Sequence, residues 1–173
     1  MSKASQDAKQ AKERLTKDRA VKPPDFDSAL STGSTLLNLA CTGRPDAGFV
    51  RGNYYYLVGD TNSGKSWCSL ASFAEAAMNP LYDDYHFVFD NVERGVQMNL
   101  ARCFGKKMAF RLEAPCPLHP HYYSVRIEDF YLNLDRALDK GPCIYVLDST
   151  DALTSSDEEK KFDELKKAKD KAK

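Results

Sequence analysis

Apolar positions cluster in the middle of this 173-residue chain and thin out at both ends. The first stretch, "MSKASQDAKQAKERLTKDRA", is charged and rich in Ala and Lys, with Leu15 nearly its only large apolar residue. A segment of that kind has no face to bury. The last stretch, "DEEKKFDELKKAKDKAK", has the same character, with Phe162 and Leu165 three positions apart. Three regions are therefore expected: a disordered or loosely helical segment over 1–25, an ordered core over 26–156, and a solvated tail over 157–173.

Within the core, the period of the apolar pattern changes from run to run. "NYYYLVG" is apolar and aromatic and closes on glycine, which predicts a buried strand. "KSWCSLASFAEAAMN" is apolar nearly all round, which predicts a helix buried on more than one side with Trp67 against a sheet. Asn79-Pro80 ends that helix. "YHFVFD" predicts a second strand and "AFRLEAP" a weaker third. Ser124 is placed to cap a helix whose face carries Ile127, Phe130, Tyr131, Leu134 and Leu138, and Gly141-Pro142 stops it. "CIYVLD" predicts a fourth strand. Strands that alternate with helices mean a parallel α/β sheet.

Charge changes this picture little. Lys and Arg total 25, as do Asp and Glu, so no global field selects nucleic acid and a local reason would be needed. The five cysteines are spread and odd in number, with no C-x-x-C pair, which fits a reducing compartment. The N-terminus has no apolar run, so neither a signal peptide nor a membrane span is expected, and the expected location is cytoplasmic. Cys116, His119 and His121 supply three zinc-type ligands without a fourth, so they read as a loop. Tyr54, Tyr55, Tyr56, Tyr122, Tyr123 and Tyr131 read as core packing rather than as base-stacking platforms.

"GDTNSGKS" changes the picture most. It fits G-x-x-x-x-G-K-[ST] and lies between a predicted strand and a predicted helix. A glycine-rich turn there lets backbone N–H groups form an anion nest, and the following helix adds the positive end of its dipole. The nucleotide-binding residues expected are Gly59, Asp60, Thr61, Asn62, Ser63, Gly64, Lys65, Ser66 and Trp67. Lys65 would reach the β- and γ-phosphates of ATP, and Ser66 would offer a hydroxyl to Mg²⁺. Asp148 ends the apolar run "CIYVLD", where open parallel sheets bind ligands, and is the candidate to steady Mg²⁺. Asp90 and Glu93 in "FVFDNVERG" lie near the same edge as candidate bases.

Together these segments resemble the RecA-like ATPases, particularly phage-type recombinase relatives. The resemblance runs through "STGSTLLNLACTG", "GFVRGNYYYLVG", "GDTNSGKS", "VERGVQMNLARCFG" and "VLDSTDAL", roughly residues 28 to 156. It implies a three-layer α/β sandwich with a mostly parallel RecA-like sheet. It implies Lys65 and Glu93 as catalytic residues, Glu93 activating water, and Asp148 holding Mg²⁺ through water. Relatives often carry an aromatic near Leu100 against adenine, and leucine here leaves the base contact open. Asn38 stands where many relatives have Asp and reads as structural. The family's DNA-binding loops, and a further strand between the phosphate-loop strand and the Asp148 strand, have no counterpart in this chain, so the sheet is expected to be incomplete on its C-terminal side.

The implied function is DNA-dependent ATP hydrolysis in phage or bacterial recombination and repair. Single-stranded DNA and further copies of the chain, in a filament or ring, would be the partners of the complete protein. The alternatives are a RecA-fold ATPase acting on protein, as in clock or helicase-loading relatives, a small-molecule kinase, and a nucleotide-binding module that does not hydrolyse.

Overall fold

The computed structural model describes residues 3–17, 25–116 and 123–171. The first helix is α1, Lys3–Lys17. Helix α2, Thr35–Thr42, starts where the Ser34 hydroxyl accepts from the Leu37 amide and ends at Gly43, whose φ of 75° is the left-handed stop that glycine allows. Helix α3 spans Lys65–Met78 and is followed by a 3-10 turn at Pro80–Tyr82. Strand β1 is His86–Asn91, and two short helices follow, α4 over Leu100–Phe104 and α5 over Lys106–Arg111. Strand β2 is only Leu112–Glu113. Helix α6 spans Ile127–Lys140, strand β3 Cys143–Asp148 and helix α7 Ser156–Lys171.

The described residues thus form a mixed α/β fold with seven α-helices around a small open sheet of three parallel strands, in the order β2-β1-β3. The register runs from His86 opposite Cys143 to Asn91 opposite Asp148, so β1 and β3 end together. Central position explains why five of the six residues of β1 are buried. On one face Phe73 of α3 meets Phe87 and Phe89 at ring distances of 5.4 and 6.4 Å, and Leu30, Leu70, Ala76, Ala77, Tyr82 and Met108 complete that core. On the other face Phe130 of α6 packs edge-on against Tyr145 of β3, with centroids 5.8 Å apart. Fully burying a side chain such as Phe73 or Leu70 stabilises the fold by about 1.5–3 kcal/mol each.

Several expectations fail here, each for a physical reason. "NYYYLVG" is not a strand: residues 53–60 run without secondary structure, with Tyr56 81% and Val58 93% exposed. The outer edge of β3 has no strand beside it among the described residues, and this run does not pair with it. Tyr54, Tyr55 and Tyr56 are accordingly exposed rather than core. Tyr55 still packs on Phe49, centroids 4.8 Å apart, and its hydroxyl accepts from the Val50 amide at 2.7 Å.

Helix α3 is buried on one side only, with Met78 76% and Trp67 53% exposed; Trp67 leans on Phe104 of α4, not on the sheet. Much of "AFRLEAP" is the end of α5 rather than strand. Ser124 does not cap α6; Asp129 accepts from the Arg126 amide at 3.0 Å instead. The N-terminal run, expected to have no face, buries Ala8 and Ala11. Helix α1 lies on α6, where Arg14 pairs with Asp135 and Asp139 and Lys12 sits 5.4 Å from the Tyr131 ring. Two small alanines let the helices approach closely, and charge sets the rim. No helix among the described residues is long and apolar enough to cross a membrane.

Candidate functional site

The phosphate-loop segment keeps the shape its glycines predict. Gly64 has φ 91° and precedes α3, and Asn62 takes φ 63°, so the turn alternates hand as an anion nest does. A Cβ on Gly59 would lie 2.7 Å from the Ser63 hydroxyl, which excludes a larger residue without rearrangement. The Ser63 amide donates to the Asp60 carbonyl at 3.1 Å and closes the turn. Residues 59–64 are exposed, and the first amides of the 14-residue α3 follow them.

Lys65 folds back over this turn. Its ammonium donates to the Gly59 carbonyl at 2.7 Å and the Asp60 carbonyl at 2.9 Å. Those contacts hold the ammonium charge over the exposed turn. Ser66 is half-buried in the first turn of α3, and Trp67 stands beside it with its ring 4.7 Å from Phe104.

The candidate acids gather at the C-terminal edge of the sheet. The Glu93 amide donates to the Asp148 carbonyl at 3.2 Å, and the Ser149 hydroxyl donates to the Glu93 carboxylate. The Asp148–Ser149 peptide is cis. Glu93 and Asp148, read from separate stretches of sequence, are therefore neighbours. The phosphate loop does not hydrogen-bond or ion-pair with either of them among the described residues; α3, packed on the sheet, connects the two halves of the site.

Asp90 does something else. It is fully buried and accepts from the Ser124 amide at 2.8 Å, the Ser124 hydroxyl at 2.5 Å and the Tyr145 hydroxyl at 2.8 Å. Asn133 of α6 donates to the Ser124 hydroxyl at 3.0 Å. Burial pushes the Asp90 carboxyl above its usual range, while the hydrogen bonds from Ser124 and Tyr145 pull it back. Burial also drives the Tyr145 phenol upward, with the Asp90 charge adding to it. Asp90 thus ties the strands to the start of α6 and is not available as a base. Sequence reasoning missed this network; its only sign was an acid two positions along from Val88, on the same face of an otherwise apolar strand.

Asn38, read as structural, is buried at 1% exposure. It accepts from the Thr32 amide and hydroxyl at 2.9 and 2.8 Å and donates to the Pro45 carbonyl at 2.9 Å. Leu100 opens α4 and is half-buried. Cys116 lies 3.3 Å from an Arg136 nitrogen, whereas His119, His121 and Tyr122 lie outside the described residues. No group of three or more metal-type ligands occurs among the described residues.

Oxygen donors suit Mg²⁺, and Ser66 and Asp148 are both of that type. The glycine-lined turn with a helix N-terminus suits a chain of phosphates. No protein-family model, no curated protein and no solved structure matches this chain.

Proposed function

We propose that the chain is a RecA-like P-loop protein that binds Mg·ATP at Gly59–Ser66 and hydrolyses it with Glu93 as the base. The single observation carrying this reading is the presence of two independent features joined by α3, which packs on the parallel sheet. A left-handed glycine turn with a lysine leads into α3, and Glu93 and Asp148 are joined by a backbone hydrogen bond where β1 and β3 end. Lys65 and the loop amides would hold the β- and γ-phosphates. Ser66 and Asp148, the latter through water, would hold Mg²⁺, which supplies positive charge to the phosphate oxygens when bound. Glu93 would accept a proton from the attacking water. Single-stranded DNA as the partner, assembly into a filament or ring, and a role in phage or bacterial recombination and repair come from the resemblance of the motifs.

A second reading, a nucleotide-binding module that does not hydrolyse, draws support from residues 53–60. The segment that should anchor the phosphate loop is outside the sheet, so the loop lacks its usual rigid support. Hydrolysis of radiolabelled ATP by wild type and Glu93→Gln, with and without single-stranded DNA, separates the two. The proposed reading expects turnover that falls on the order of 10²-fold or more in Glu93→Gln while ATP binding persists. Bound ATP left intact by the wild type would favour the non-hydrolysing module, and unchanged turnover in the variant would move the base elsewhere.

A further inference from the structure

Strand β1 ends in a polar side chain set into an otherwise apolar wall. Asn91 is 7% exposed, and its Oδ1 is buried and accepts no hydrogen bond among the described residues. Alternation along the strand puts it on the face of Phe89, the face that α3 covers, and both residues line one cavity of about 130 Å³. Val96, Leu100, Leu112 and Tyr123 form other walls; all four are half-buried, and the cavity opens past them to solvent. Glu113 borders the same cavity, but His86 at 3.4 Å and Lys140 at 3.3 Å already engage its two oxygens.

These walls dictate the chemistry of an occupant. An amide oxygen buried without a donor is costly, and one that persists in a fold calls for a partner. Asn91 therefore asks for one O–H or N–H. Glu113 already has its partners, so the cavity makes no demand for a cation. The apolar and aromatic remainder favours a carbon body, and a charged one would have to shed its hydration there. Size sets the limit: an apolar cavity of about 150 Å³ takes up benzene, so this one admits about one ring. We propose that the cavity is a small-molecule site for a neutral ligand of about one ring that donates a single hydrogen bond to Asn91 Oδ1. Phenol is the simplest member of that class. No residue of 59–66 lines the cavity, and neither does Glu93 or Asp148, so the site is separate from the candidate nucleotide site and does not depend on that reading. Water also donates to such an oxygen, but it leaves the apolar walls without a partner, and the test separates the two.

The test titrates two probes into the full chain: phenol, and toluene, which has a methyl group in place of the hydroxyl. Binding is read from the NMR signals of carbon-13-labelled Val and Leu methyl groups. In wild type, phenol is expected to shift the Val96, Leu100 and Leu112 methyl signals along one saturable curve. Asn91→Leu, similar in size, keeps the walls and removes the acceptor. The ratio of phenol affinity to toluene affinity is expected to fall on the order of tenfold in that variant, because the hydroxyl then enters without a partner. Leu100→Trp, which fills the cavity from α4, is expected to weaken both probes. The absence of saturable shifts in wild type is the result for a cavity that holds water alone, and it overturns the proposal without any variant. An unchanged affinity ratio in a folded Asn91→Leu overturns it, as does undiminished phenol binding in a folded Leu100→Trp. Displacement of phenol by Mg·ATP would put the nucleotide in this cavity and overturn the separate site.

Discussion

Asp90 and Glu93 sit three residues apart and have opposite environments. Glu93 is exposed at the sheet edge, while Asp90 is sealed between β1, β3 and α6. The sign of the pH effect at Asp90 follows from burial. Its folded pKa lies above the usual aspartate value, so the native state holds the proton longer than the unfolded chain does. The stability this group contributes is complete below about pH 3.8 and is lost as pH rises through the folded pKa. Asp90→Asn cannot titrate, so the midpoint of the variant should gain on that of wild type as pH is raised from about 3.5 towards 7. Urea unfolding of both proteins across that range checks this. A variant that instead loses ground as pH rises would mean the three donors outweigh burial.

At the scale of elements, the extended run before the phosphate loop stands apart from the sheet. Strands β1 and β3 share a continuous ladder, whereas residues 53–60 lack one. Amide hydrogen exchange should therefore be fast over Tyr54–Val58 and slow over Phe87–Asp90 and Ile144–Leu147. Slow exchange at Tyr56 and Leu57 would show that this run pairs after all. Pattern alone could not distinguish these cases. "NYYYLV" and "CIYVLD" are equally apolar, and an apolar run reports a capacity for burial without naming the neighbour that buries it. The glycine turn at 59–64, α3, β1, α6 and β3 were legible because their signals are local: turn glycines, stop residues, period. The Asp90 network was not, because its partners lie 34 and 55 residues away in sequence. The α1–α6 contact was hidden for a related reason. Ala8 and Ala11 look inert until a second helix is close enough to cover them. Trp67 misled because an aromatic in a helix next to a strand suggests the sheet, while its nearest ring belongs to α4.

Over the whole molecule, equal numbers of acidic and basic residues leave no net field to draw a polyanion in. The proposed nucleotide recognition therefore rests on local geometry, and Lys65 is the cation held over the turn. Calorimetric titration of Mg·ATP into wild type and into Lys65→Ala tests this most directly. Wild type should show saturable one-site binding, and the variant should bind at least tenfold more weakly, a loss of about 1.4 kcal/mol or more from a removed charge-assisted contact. Equal affinities in the two proteins, or no binding by wild type, would contradict the assignment of Gly59–Ser66 as a nucleotide site.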